Sequence, residues 1–116
     1  MNKVYEVRKS ALFTRQVLLF ARAYAQDVNA GTVVALHFVD IVEETTNFIQ
    51  QNPFYCPVYA DAKHNPKLSG VEYRKWHVKG FPHSVFFSVG GELITIAGLY
   101  AQKMNIAVRF PSDVGG

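Results

Sequence analysis

The side chains best able to do chemistry in this chain are few and far apart. Cys56 is the single cysteine among 116 residues. A reactive thiol there needs an accessible, electropositive setting that favours the thiolate. One cysteine excludes an internal disulfide, a CxxC redox pair and a cysteine-rich zinc site. Free cysteine is also among the most buried residue types. Core packing is therefore the plainer reading of Cys56, beside an intermolecular disulfide or a peroxide-reactive thiol. His37, His64, His77 and His83 invite a metal reading, yet no two stand at a short ligand spacing. Folding would have to bring His77 and His83 together, so no metal site is expected. Ser10 lacks the G-x-S-x-G surroundings of a nucleophile and suits a helix cap instead. Asp40 with Glu43, and Asp61, read as a cap and a strand-end carboxylate rather than a general acid–base pair. Gly90-Gly91 has no phosphate-loop pattern around it. No catalytic constellation and no cofactor site emerge.

The totals describe an ordinary folded domain. Hydrophobic residues make up 49% and charged ones 18%, with a formal charge of +3. That composition is far from disorder. Arg8, Lys9, Arg15 and Arg22 form one basic group, and Arg74, Lys75 and Lys79 another. Neither is the run that marks a nucleic-acid surface, so a basic accessory module on nucleic acid is the weakest reading. "ALFTRQVLLFARAYA" is interrupted by Arg15, Gln16 and Arg22 and cannot serve as a membrane span. No signal peptide precedes "KVYEV". As written the chain reads as cytoplasmic, and as periplasmic if a signal has been removed.

The elements that must position these residues follow from periodicity. "KVYEVRK" predicts a short strand at 3–8. Residues 10–28 predict a helix capped by Ser10, apolar on more than one side and stopped by "NAG". "TVVALHFVD" is a continuous β-branched and apolar run and predicts a central parallel strand. Asp40 and Glu43 then resemble a capping box opening a helix over 41–51. "CPVYAD" predicts a short strand, with Pro57 favouring an edge. Asn65 and Pro66 open a helix over 67–77, on which Tyr73 and Trp76 share a face. "HSVFFSV" and "ELITIAG" form a hairpin about Gly90-Gly91. "LYAQKMNIAVRF" closes as a helix, with Leu99, Met104, Ile106, Ala107 and Phe110 offered to the core. The order is β-α-β-α-β-α-β-β-α: an α/β fold with a mixed central sheet and helices on both faces. Residues 1–110 form a single domain and 111–116 a tail. Val33, Leu36, Phe38, Val85 and Phe87 are the expected core of the sheet.

Pro82 sits at the mouth of an apolar strand, where a residue without an N–H must occupy a first position or a special turn. The run Val78, Gly80, Pro82, then Ser84–Val89, Gly90-Gly91 and Gly98 resembles the C-terminal half of a thioredoxin-like fold. There, V-x-G-x-P-T leads into a strand, a glycine turn and a second strand; His83 replaces the usual Thr. "VVALHFVDIVEETTNFIQQNPFYCPVYADA" is similar to a stretch of peroxiredoxins and of the membrane-tethered thioredoxins of cytochrome maturation. It also resembles disulfide-isomerase-like proteins of bacterial conjugation systems. The resemblance implies a cis peptide at Phe81–Pro82. It places the active-site position near Val7–Ala11, which holds no cysteine, so dithiol exchange is excluded.

The expected function is thus a redox-inactive thioredoxin-like domain that binds a protein or builds an assembly. The backbone before the proline would pair with an extended peptide in a groove bordered by Arg8, Lys9, Ser10, Phe81 and Pro82. The alternative is a single-cysteine redox protein or accessory subunit using Cys56. The partner is a protein or larger assembly. Membrane insertion is not expected, and the chain admits a homo-oligomer.

Overall fold

The computed structural model describes residues 4–59 and 71–101. It begins with a four-residue strand, β1 (Glu6–Lys9), and goes directly into helix α1 (Ala11–Gln26). Ser10 is the pivot. Its Oγ accepts from the Phe13 N–H at 3.0 Å, capping the helix as its residue type predicts. Phe13, Gln16, Val17, Phe20, Ala21 and Tyr24 recur at three- and four-residue spacing and form the inward face.

The second element departs from expectation. "TVVALHFVD" is not a strand: residues Gly31–Gln51 form one unbroken helix, α2. The β-branched run loses to a longer signal, since Ala35, Phe38, Val42, Thr45, Thr46 and Ile49 are buried at helical spacing. Val33 and Leu36 consequently face solvent rather than the core, whereas Phe38, Val85 and Phe87 are fully buried. Asp40 and Glu43 lie within the helix and cap nothing. The turn between the helices is set by Asp27, whose Oδ1 accepts from the amides of Asn29 and Ala30 at 2.8 and 3.1 Å. Gly31 then takes a positive φ of 72°, which its missing side chain permits. The result is an antiparallel helical hairpin.

A 3-10 turn at Pro53–Tyr55 leads to Val58, which bridges to Arg74 rather than forming a full strand. Strand β2 (Tyr73–His77) occupies part of the expected 67–77 helix. On a strand, Tyr73 and Trp76 point to opposite faces. Trp76 stacks on Phe48 of α2, with ring centroids 4.9 Å apart. The loop after β2 turns on Gly80, at φ 82°, and is closed by Val78 N–H donating to the His83 carbonyl at 2.9 Å. The Phe81–Pro82 peptide is trans. Pro82 needs no special geometry here, because it precedes the first residue of β3 (His83–Gly90) and its missing N–H costs no ladder bond. Gly91 and Glu92 form the turn into β4 (Leu93–Ala101), which takes up the Leu99 expected in a closing helix. Expectations for Asp61, His64, Asn65, Pro66, Met104, Ile106, Ala107, Phe110 and the tail lie outside the described residues.

The strand order is β1-β4-β3-β2, with β1 parallel to β4 and the other pairs antiparallel. Both described helices pack on one face of the sheet, not on two. Their inward residues join Val85, Phe87, Ile94, Ile96 and Leu99 in one core. On the opposite face Tyr59, Phe86 and Tyr100 form an edge-to-face row, with centroids 5.1 and 5.6 Å apart. The expected α/β sandwich is therefore replaced by β-α-α-β-β-β among the described residues.

Helix α1 is fixed to the sheet by two polar contacts at a β-bulge. Phe86 pairs with Gly98 and Phe87 with Ile96, so Ala97 is the extra residue. Its carbonyl accepts from Ser10 Oγ at 3.0 Å, and the nearby Leu99 N–H donates to the buried Gln16 Oε1 at 2.8 Å.

Candidate functional site

The residues expected to border one groove lie apart. Arg8 and Lys9 are exposed on the edge strand β1, and Ser10 is committed to the cap and to Ala97. Phe81 packs at the other end of α1, against Tyr24 and Phe38, with centroids 5.5 and 5.0 Å away. Ser10 and Tyr24 are separated by about 21 Å of helix at 1.5 Å per residue. The two halves of that groove do not meet.

Cys56 is fully buried, and burial pushes its thiol up to about 11 against the smaller opposing effect of Arg74. Arg74 itself is held by the Cys56 carbonyl at 2.8 Å and by Glu72 at 2.9 Å. The thiolate is scarcely formed at neutral pH, and a redox role for Cys56 has no support. His83 is buried under the rings of Phe20, Phe38 and Tyr24. His77 is exposed on β2 and His37 on α2, so the described histidines do not converge. No group of three metal-ligating side chains occurs among the described residues.

What the structure assembles instead is an exposed apolar patch on the helical hairpin. A soluble helix normally hides its large aliphatic residues against the core. Here Leu18 is 54% exposed on α1, and Leu36 and Val39 are 63% and 37% exposed on α2. Leu18 and Val39 line an apolar cavity of about 230 Å³ with Phe13, Val17 and Val42, and Lys9 and Glu43 stand at its rim. The face is rimmed by charge of opposite sign. Arg15 and Arg22 project from α1, seven residues and thus about two turns apart. Asp40, Glu43 and Glu44 project from α2. None of the five forms an ion pair among the described residues, where Arg74–Glu72 is the one such pair. A wider hollow of about 730 Å³ lies beside the 3-10 turn, between Val4, Tyr5, Gln50 and the Pro53–Tyr55 segment. Gln50 is already engaged there by donating to the Tyr5 carbonyl at 2.8 Å.

The sequence contained a partial signal for this face. Apolar residues surround α1, which implies cover on more than one side, and Arg15 and Arg22 stand out as part of a basic group. Leu36 and Val39 were hidden by the strand reading of "TVVALHFVD", because in a strand they belong to the core.

No helix among the described residues is long and apolar enough to cross a membrane. No family model matches the chain, and no curated protein matches it. A solved structure does: a chain from the chromosomal ParDE TA (toxin–antitoxin) system of P. aeruginosa. It is 20% identical, with a TM-score of 0.66, and the match covers 84% of this chain and 96% of that one. With the observed strand order, this overturns the resemblance to thioredoxin-like proteins carried by "VKGFP". The fold of this chain is that of the ParDE-system chain.

Proposed function

We propose that the chain is one member of a two-protein module of the toxin–antitoxin kind and acts by binding a partner protein. The observation that carries this reading is the exposed aliphatic group Leu18, Leu36 and Val39, of which Leu18 and Val39 line the apolar cavity between α1 and α2. Contiguous apolar surface rimmed by charge marks a protein-interaction site rather than a solvated helix face. The shared fold with a chain of the ParDE system supports the same class of function by analogy. Binding needs neither a thiolate nor a metal, which agrees with the burial of Cys56.

The test has two arms. Tagged chain is captured from its host, the co-purifying protein is purified, and the two are titrated calorimetrically. Leu36→Glu places a charge in the middle of the face and is expected to weaken binding at least tenfold, about 1.4 kcal/mol. Separately, the chain and its partner are expressed alone and together. The reading expects one of them to arrest growth and the other to relieve the arrest. Growth unaffected by either, with binding indifferent to Leu36→Glu, overturns it.

A further inference from the structure

The charges around the apolar face have a geometry that a single-partner reading leaves unused. Thr14 and Leu18 of α1 share a cavity with Val39, Val42, Glu43 and Thr46 of α2, which fixes the levels of the two antiparallel helices. Arg15 is about one turn before Leu18, and Glu43 is about one turn after Val39. Arg15 is therefore level with Glu43 and Glu44. Arg22, one turn beyond Leu18, is level with Leu36, while Asp40 lies about one turn back, between the heights of Arg15 and Leu18. Positive charge on α1 and negative charge on α2 thus flank a centre of Leu18, Leu36 and Val39, and they match in height where Arg15 is level with Glu43 and Glu44.

We propose that this face also binds a second copy of the chain, as a two-fold four-helix pack. The proposal rests on the reading of the hairpin as a docking face and names a further occupant for it. Two face-to-face arrangements of a helical hairpin obey two-fold symmetry. An axis across the helices lays α1 on α1 and α2 on α2, so Arg meets Arg and Glu meets Glu. An axis parallel to the helices lays each α1 on the other copy's α2 at unchanged height. Arg15 then meets Glu43 and Glu44 of the other copy, twice over, and the aliphatic centres coincide. Only the second arrangement is self-complementary, as an isologous interface requires. Like charges brought together by the first are the element that rejects it. Ala11 and Ala25, exposed on α1, permit close approach of the helices. Self-association and partner binding use one surface, so each excludes the other.

Sedimentation equilibrium on the chain alone tests this. The expected mass is about twice the 13.0 kDa of the monomer, falling toward the monomer as salt screens the rim charges. R15E carries only negative charge at the paired positions, and the double variant E43R/E44R carries only positive charge. Each is expected to be monomeric. Mixed in equal amounts, they are expected to recover the dimer, since both contact sites in the mixed pair join opposite charges. Recovery in trans separates a contact between copies from one within a copy. A monomer at all concentrations, or a dimer unmoved by both variants and by their mixing, overturns the proposal. Loss of self-association with partner binding intact leaves the docking reading standing; insensitivity of both to Leu36→Glu removes the two together.

Discussion

At the scale of single residues, Cys56 and His83 turn out to be parts of the core, and His83 is the one with a measurable consequence. It is 3% exposed, enclosed by aromatic rings, and its Nδ1 has no hydrogen-bond partner. Burial disfavours the imidazolium, so the pKa lies below the ordinary 6.5. The sign follows from linkage. Below pH 6.5 the unfolded chain takes up a proton that the folded chain refuses, so stability falls as pH falls toward the folded pKa. Above pH 6.5 both states are neutral at this site and the effect vanishes. Denaturant melts between pH 7.5 and 5 are expected to show a loss of at most about 1.4 kcal/mol per pH unit from this one proton. His83→Phe keeps an aromatic ring against Phe20 and Phe38 and is expected to remove that part of the slope. An unchanged slope in the variant assigns the acid sensitivity elsewhere. Cys56 makes a simpler point: core packing was the plainer reading of a lone cysteine, and its full burial agrees with it.

At the scale of elements, the sequence was informative where a local rule governs and silent where tertiary packing decides. The Ser10 cap, the extent of α1 and the Gly90-Gly91 hairpin could all be read, because capping and turn chemistry act over a few residues. The second half of α2 was legible as the helix over 41–51, but its first half was not. "TVVALHFVD" satisfies a buried strand and a helix face equally over nine residues, and the arbitrating period extends to Thr45, Thr46 and Ile49. Pro82 misled for a related reason: a proline before a strand suits many turns, and neighbouring residues alone do not choose among folds. The bulge at Ala97 was unreadable, since it exists only where α1 meets β4. It nonetheless supplies a sharp test. Gln16 is distant in sequence from Leu99 but satisfies its amide in a buried setting. Gln16→Met keeps the side-chain length and helix propensity while leaving that N–H without a partner, and is expected to cost about 1–3 kcal/mol. Urea unfolding with an unchanged m-value measures it. A loss below about 0.5 kcal/mol would mean that the bulge relaxes to meet water or another acceptor.

At the scale of the whole molecule, the fold separates two populations of apolar residues that look alike in the sequence. Val33, Leu36, Phe38, Val85 and Phe87 were all expected in one core, and two of them lie outside it. The division follows from where a hairpin can be covered: its inner side by the sheet and, on the proposed function, its outer side by a partner. Stability and binding should therefore respond to different residues. Phe87→Ala empties a fully buried ring position between the sheet and the helices, and a loss of about 3–5 kcal/mol is expected. Leu36→Glu removes an aliphatic group already 63% exposed, at a position where Glu is as good a helix former as Leu. Its effect on the unfolding free energy is expected to stay within about 0.5 kcal/mol, the range of ordinary surface substitutions. The chain carrying Leu36→Glu should thus remain folded by circular dichroism and by urea midpoint while losing its partner. If it instead unfolds as readily as Phe87→Ala, then Leu36 belongs to the core of the free chain, and the outer side of the hairpin is not a docking face. A stable variant that also keeps its affinity would move the docking face to another part of the surface.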